Sequence, residues 1–155
     1  MPARLLLLVL AFAAQTAWAE TLVGRVVRVA DGDTLTLLID RKQIKVRLTE
    51  IDAPESKQAF GQRSRQSLGD MCAGQDAVVQ AAGRDKYGRV LGRVACRGVD
   101  ANAEQVRRGM AWVFDRYVTD RSLYALQNEA RASQVGLWAD KSPTAPWTWR
   151  AQHKH

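Results

Sequence analysis

The sequence predicts an α+β fold in which a five-stranded β-barrel carries about three α-helices. Much of the chain consists of apolar runs rich in Val, Ile and Leu that alternate with turn residues, a pattern typical of strands. Other segments have apolar residues at helical spacing, and each ends near a glycine. The length of 155 residues and the lack of internal repeats indicate a single domain.

Five segments are predicted to be strands, namely residues 21–30, 34–39, 44–48, 76–82 and 90–96. Asp31 and Gly32 form a tight-turn signal between the first two strands. The third strand alternates strictly, with Ile44, Val46 and Leu48 on one face. We therefore expect the first three strands to form a meander.

Three segments are predicted to be helices, namely residues 56–71, 101–108 and 121–134. Ser56 is expected to cap the first helix, and Gly74 marks its end. The apolar segment 110–114 is predicted to be a connector packed under the barrel. Five strands with a helix between the third and the fourth fit an OB-fold barrel with helical additions.

Residues 1–19 are predicted to be a cleaved signal peptide. Arg4 supplies a positive charge, Leu5–Ala14 is an uncharged apolar run, and Ala17 and Ala19 are the small residues that a signal peptidase reads. The apolar run is about half as long as a membrane-spanning helix. We therefore expect an exported protein, periplasmic or secreted, with no membrane contact after cleavage.

The remaining chain is divided into a domain over residues 20–140 and a tail over residues 141–155, which is predicted to be a surface strap or a loose end. The whole chain has 23 Lys and Arg against 16 Asp and Glu. Residues 1–19 contain one arginine and no acidic residue, so the mature chain has 22 basic against 16 acidic residues and a formal charge of +6. Such a charge favours polyanionic partners.

Cys72 and Cys96 are the two cysteines of the chain. In an exported protein an even pair indicates a disulfide, and two separate buried thiols are the alternative. A catalytic cysteine is not indicated, because the two histidines, His153 and His155, lie at the C-terminal tip. The same scarcity of Cys and His argues against a zinc site.

Two acidic residues lie at strand ends. Asp33 precedes the second strand and Asp52 follows the third, so a meander brings both carboxylates to one rim of the barrel. Two carboxylates leave coordination positions for water and a phosphate, which suits Ca²⁺, and Mg²⁺ and Mn²⁺ also take oxygen ligands. Asp31, in contrast, is explained by its turn.

Three short signatures carry a resemblance to a known family. They are Asp31–Thr34, then Arg47 with Asp52–Glu55, then Asp85–Arg89. In this order and spacing they resemble the staphylococcal nuclease family over residues 21–140. The resemblance implies an OB-fold barrel that cleaves phosphodiester bonds, and this agrees with the strand pattern.

The resemblance also implies the roles of individual residues. Calcium would be bound by Asp33, Asp52 and the main-chain oxygen of Ala53. Glu55 would act as a general base or orient the attacking water, although a glutamate at a helix N-terminus also favours the helix dipole.

Further residues would contact the nucleic acid. Arg47 and Arg89 would hold the phosphate and stabilise charge in the transition state, since guanidinium stays charged and binds two oxygens at once. Lys86 and Tyr87 would contact flanking phosphates, and Tyr117 would line the base pocket. A second tyrosine of that pocket corresponds to Asp115 here, which predicts weaker stacking on the base.

The residues and the resemblance together predict a Ca²⁺-dependent nuclease that cleaves DNA and RNA with low sequence specificity and acts as a monomer, and the resemblance implies that cleavage leaves 3′-phosphate ends. The alternative is a non-catalytic OB-fold module that binds nucleic acid, which needs basic grooves and aromatic residues but no acidic ones. A third hypothesis is a small exported OB-fold protein that binds another protein or an oligosaccharide. Metal-dependent turnover separates the first hypothesis from the others.

Overall fold

The computed structural model describes residues 20–153. The predicted signal peptide over residues 1–19 lies outside the described residues. Within the described part of the chain, none of the helices has the length and apolar character needed to cross a bilayer.

Five long strands close into a barrel, which confirms the predicted α+β fold class with its OB-fold barrel. The strands of the described chain are β1 Glu20–Asp31, β2 Thr34–Ile39, β3 Lys42–Leu48, β4 Ile51–Asp52, β5 Asp76–Arg84, β6 Val90–Cys96, β7 Val99–Asp100 and β8 Trp112–Val113. The barrel order is β3-β2-β1-β5-β6, with antiparallel pairing between neighbours. Parallel pairing of β3 with β6, with Val46 opposite Val90, closes it.

The barrel interior follows from the alternation in the sequence. Leu35 and Leu37 of β2 and Val46 and Leu48 of β3 have no exposed surface. Burying each such side chain contributes about 1.5–3 kcal/mol. Alternation also turns Arg47, which lies between two of these residues, away from the core and towards the rim.

In residues 20–153, four α-helices and one 3₁₀ helix accompany the barrel. They are α1 Gly61–Cys72, α2 Ala101–Arg107, α3 Ser122–Ala132, a 3₁₀ helix Gly136–Ala139 and α4 Pro146–Gln152. The predicted start of the first helix at Ser56 was wrong, because residues 56–60 form a turn. Phe60 takes a left-handed conformation with φ of 65°. A Cβ on Gly61 would lie 2.0 Å from the Glu55 carbonyl oxygen, so the chain folds back tightly on Glu55 before the helix begins.

Of the two alternatives for residues 141–155, the part that the structure describes packs on the surface and is not a loose end, but its helix α4 was not predicted. Pro146 occupies the first turn of this helix, where its missing N–H costs nothing. Trp147 stacks on Phe114 with ring centroids 5.4 Å apart and meets Trp112 edge-on at 5.6 Å. The predicted connector 110–114 supplies both partners and contains β8, which pairs with β4.

A disulfide joins Cys72 at the end of α1 to Cys96 at the end of β6. Both cysteines are buried in the main core. Of the two alternatives for this pair, the structure has the disulfide rather than two separate thiols. A link between residues at this separation stabilises the fold by about 3–4 kcal/mol in the chain-entropy model.

A cluster of ion pairs around Arg93 holds the β3–β4 corner against α2 and the start of α3. We call Arg93, Glu50, Asp100 and Asp120 the Arg93 cluster. The guanidinium lies 3.0 Å from Glu50, 2.7 Å from Asp100 and 3.0 Å from Asp120. Glu50 Oε1 also accepts hydrogen bonds from the backbone N–H groups of Thr119 and Asp120. This cluster was not anticipated from the sequence.

Candidate active site

The turn between β1 and β2 fixes Asp33 at the barrel rim. The Asp33 backbone N–H donates to Asp31 Oδ1 at 3.0 Å, as expected for an Asp-Gly turn. Gly32 presses against α1 so closely that a Cβ there would lie 1.8 Å from Ser64 Oγ. The Gly32 carbonyl accepts a hydrogen bond from the buried Gln105 amide at 2.7 Å. Position 32 therefore requires glycine because the backbone lies so close to α1. Gln105 supports this turn and was not identified from the sequence pattern.

Strand register brings the two predicted acidic ligands together. Thr34 pairs with Arg47, and the Leu48 N–H donates to the Asp33 carbonyl at 2.8 Å. The chain then turns into β4, which carries Asp52, and the N–H of Ala53 donates to Asp33 Oδ2 at 2.7 Å. Asp33 is 5% exposed and Asp52 is 1% exposed. The meander has placed two nearly buried carboxylates at one rim.

Arg47 lies between these two carboxylates. Its Nη2 atom is 3.1 Å from Asp33 Oδ2 and 3.0 Å from Asp52 Oδ1. Its Nη1 atom donates to the carbonyls of Leu48 and Ile51. A guanidinium with this many partners is fixed in orientation, so its charge is preorganised at the rim.

The environment of Asp33 disfavours its charged form. Burial is the largest effect and raises the pKa of Asp33 well above its usual range. Arg47 opposes that rise, while Asp31 and Asp52 add to it. The contact with Arg47 therefore does not fully offset the burial of negative charge on Asp33.

Glu55 lies at the edge of the same rim, in the turn that precedes α1. Its N–H donates to Gln58 Oε1 at 3.1 Å, and its carbonyl accepts from the Gln58 N–H at 2.8 Å. The Gln58 amide in turn donates to the Thr144 carbonyl at 2.7 Å. Glu55 is thus positioned by a turn that is tied to the chain just before α4.

Arg150 of α4 joins this group, and no sequence signal identified it. Its Nη2 atom lies 2.7 Å from Asp52 Oδ2, and its Nη1 atom lies 2.7 Å from Glu55 Oε1 and 3.2 Å from Asp52 Oδ1. We call Asp33, Arg47, Asp52, Glu55 and Arg150 the rim cluster. Trp147 and Arg150 share one face of α4 at i and i+3, but a helix of seven residues is too short for this spacing to stand out in the sequence.

The turn between β5 and β6 holds the remaining predicted cations on a more exposed surface. Asp85 Oδ1 accepts from the N–H groups of Tyr87 and Arg89, and Asp85 Oδ2 lies 2.7 Å from Arg89 Nε. Lys86 and Arg89 both lie over the Tyr87 ring, at 5.1 and 5.7 Å from its centroid. Because β6 runs beside β3, this turn lies next to the rim, but among the described residues no ion pair joins Arg89 to the rim cluster.

Tyr117 is 57% exposed and packs edge-on against Phe114 at 5.0 Å. Phe114 in turn stacks on Trp147 of α4. Asp115 accepts a hydrogen bond from the Tyr124 hydroxyl at 2.6 Å. Tyr117 therefore presents an accessible ring on the surface that continues from α4, while Asp115 presents no ring.

The oxygen ligands at the rim are of the chemical type that binds a hard cation. In residues 20–153 there is no group of three or more His, Cys, Asp or Glu side chains arranged to hold a metal ion. Asp33 and Asp52 instead supply two carboxylates beside the backbone of Ala53. Oxygen ligands of this number suit Ca²⁺ or Mg²⁺, which complete their coordination with carbonyl oxygen, water and substrate phosphate.

Comparisons with known proteins agree with this geometry. The model of the family described as "Staphylococcal nuclease homologue" matches residues 45–140. An uncharacterized endonuclease of Escherichia coli is 48% identical over 128 residues, which cover 82% of this chain and 84% of the relative. A micrococcal nuclease of Shigella flexneri is 43% identical over 150 residues, which cover 90% and 86%. An uncharacterized endonuclease of Haemophilus influenzae is 45% identical and covers 84% and 74%. The chain therefore belongs to the staphylococcal nuclease family.

Proposed function

We propose that this chain is an exported, Ca²⁺-dependent endonuclease that hydrolyses DNA and RNA with low sequence specificity. A nuclease function follows from family membership and from relatives named endonuclease and micrococcal nuclease. The metal, the cleavage chemistry, the export and a monomeric state are the proposal. The observation that carries it is the convergence of Asp33, Asp52 and Arg47 at one rim with Glu55 beside them.

The acidic residues divide into two roles. Asp33, Asp52 and the Ala53 carbonyl would hold the cation, which supplies positive charge to a phosphate during attack on phosphorus. Glu55 is 35% exposed in its side chain and accepts a proton at a carboxylate oxygen from the attacking water. A half-exposed carboxylate can meet water, which the buried aspartates cannot do as readily.

The arginines hold the phosphate. Arg47 is fixed at the rim because two backbone carbonyls accept hydrogen bonds from its Nη1 atom. Arg89 uses Nε for Asp85, which leaves its terminal nitrogens to bind phosphate oxygens. Removing one preorganised donor of this kind lowers turnover by about 10²–10³-fold.

The bond changes follow from direct attack by water on phosphorus. The water oxygen forms a bond to phosphorus, Glu55 takes one water proton and later returns it to solvent, the bond from phosphorus to the 5′-oxygen breaks, and the departing 5′-oxygen takes a proton from a solvent water. The products are a 3′-phosphate on one fragment and a 5′-hydroxyl on the other. Lys86 and Tyr87 would contact the flanking phosphates, and Tyr117 would support a base with one aromatic face.

The test is cleavage of single-stranded DNA and of RNA by the purified protein, with CaCl₂, MgCl₂, MnCl₂ or EDTA. We expect Ca²⁺-dependent cleavage and a loss of at least about a hundredfold in Glu55→Gln. Glu104→Gln is the matched control, because Glu104 pairs with Arg107 and Arg108 on α2, away from the rim. End-group analysis should give 3′-phosphates.

The alternative, a non-catalytic OB-fold module, predicts a different result. Nucleic-acid binding without cleavage in every divalent metal would contradict the proposed enzyme and favour the binding module. Full activity in Glu55→Gln would leave the nuclease but remove Glu55 from its mechanism.

A further inference from the structure

Arg150 adds a second guanidinium to the rim cluster, and it comes from outside the segment that matches the family. The family match ends at residue 140, and Arg150 lies on α4. Both oxygens of Asp52 accept hydrogen bonds from Arg150, and Asp52 Oδ1 also accepts one from Arg47. A carboxylate has about four acceptor positions, so three of those on Asp52 are taken by arginine donors.

The position of Arg150 is set by packing of its helix. Trp147 is three residues earlier, on the same face, and is stacked on Phe114. Pro146 is buried at the start of the helix, and the Thr144 carbonyl is held by Gln58. The side chain of Arg150 itself is 40% exposed, so it can leave Asp52 for water without unpacking α4.

We propose that Arg150 occupies the cation position on Asp52 in the metal-free protein and competes with the divalent metal for that carboxylate. The inference rests on the proposed role of Asp52 as a metal ligand. Arg150 is thereby a positioning residue that holds Asp52 and Glu55 when no metal is bound, and a metal at Asp52 must either displace it or bind beside its positive charge.

Charge counting gives the direction of the effect. The rim cluster contains three carboxylates and two guanidinium groups, so a dication enters a site with one net negative charge. Without Arg150 the net charge becomes two negative. If Arg150 leaves Asp52, its contacts are lost on binding. If it stays, it lies within a few ångströms of the metal and repels it. In both cases Arg150 weakens metal binding.

The test is calorimetric titration of the purified protein with CaCl₂, and in parallel with MnCl₂, in the absence of nucleic acid. Arg150→Gln loses hydrogen bonds between charged groups, which contribute substantially to the free energy of the metal-free state. We therefore expect this variant to bind the metal about tenfold more tightly. Arg107→Gln is the matched control. It removes one positive charge from an exposed pair on α2 and should leave the affinity within about twofold.

A second variant tests the role of the helix. Trp147→Ala keeps Arg150 but removes the stack of Trp147 on Phe114, so we expect it to bind the metal more tightly, as Arg150→Gln does.

Unchanged or weaker metal binding in Arg150→Gln, or no detectable binding to either protein, would overturn the inference. A purely phosphate-binding Arg150 would leave metal affinity unchanged and raise KM. Because the titration needs no turnover, its result is independent of the Glu55→Gln activity test.

Discussion

Two arginine-centred clusters in this molecule contain the same types of side chain but differ in the pKa of their carboxyl groups. The pKa of Asp33 in one cluster is raised, whereas the pKa of Glu50 in the other is lowered. The Arg93 cluster and the rim cluster each contain three carboxylates bound to guanidinium groups. They differ in what else binds those carboxylates. The comparison separates the acidic cluster that supports the fold from the one that we propose for chemistry.

Backbone donors complete the Arg93 cluster. Burial raises the pKa of Glu50, but hydrogen bonds from Asp120, Thr119 and Arg93 outweigh it and leave the pKa below its usual value. Hydrogen bonds from Ser122 likewise lower the pKa of Asp120. These carboxylates are more favourable as charges in the folded protein than in the unfolded chain, so the cluster stabilises the fold.

Asp33, in the rim cluster, is less well stabilised as a charge. Asp33 receives one backbone N–H donor, from Ala53, and shares Arg47 with Asp52. Burial dominates and raises its pKa. A buried carboxylate that its protein partners do not fully stabilise is typical of a functional site rather than of a structural ion pair.

The largest expected effect comes from removing charge at the rim. We expect Asp33→Asn to lower cleavage activity by at least about a hundredfold, because a proposed cation ligand is lost. The free energy of unfolding should fall by less than it does in Arg93→Met, since Arg47 keeps Asp52 as a partner and a neutral amide is easier to bury than a carboxylate. Urea unfolding beside the cleavage assay measures both. A large loss of stability with retained activity would reverse our assignment of the two clusters.

The Arg93 cluster should respond in the opposite way. We expect Arg93→Met to lower the free energy of unfolding by about 2–3 kcal/mol, because three carboxylates lose their shared partner. Cleavage activity below the unfolding transition should stay within about twofold. Arg25→Met, at an exposed position of β1, is the control and should change stability by less than about 0.5 kcal/mol. Equal stability of the two variants would contradict a structural role for Arg93.

The smallest expected effect is a change in acid sensitivity. The folded pKa of Glu50 lies below its ordinary value of 4.5, so the stability it contributes is complete above that pH and is lost as the pH falls through the lower folded value. We expect the wild type to lose stability below about pH 4.5 more steeply than Glu50→Gln, by a difference of about 1 kcal/mol. Urea unfolding at several pH values from 3 to 7 measures the two slopes. Parallel pH profiles would show that Glu50 is not the responsible group.

Much of the barrel and its acidic rim could be predicted because both depend on local patterns. The alternation of Ile44, Val46 and Leu48 defined a strand, and a meander then places Asp33 near Asp52 whatever the details of packing. The turn after Glu55 could not be predicted in this way. Ser56 is a good helix cap, but the close approach of Gly61 to the Glu55 carbonyl depends on tertiary packing.

Arg150 could not be predicted from local sequence patterns for a different reason. A helix of seven residues is too short for its periodicity to stand out. Its position depends on stacking between Trp147 and Phe114, which are 33 residues apart in the numbering of the chain. The Arg93 cluster was missed for the same reason, because Glu50 and Asp120 meet only through the fold.

The aromatic packing around α4 has a spectroscopic consequence. Four of the five tryptophans lie in the described residues, at positions 112, 138, 147 and 149, and none of them belongs to the main core cluster. Tryptophan emission therefore reports the packing of α4 and its neighbours, whereas far-ultraviolet circular dichroism reports the strands and helices as a whole. If α4 detaches before the barrel melts, the two signals will follow separate transitions, and the gap between them will measure how firmly the helix is docked.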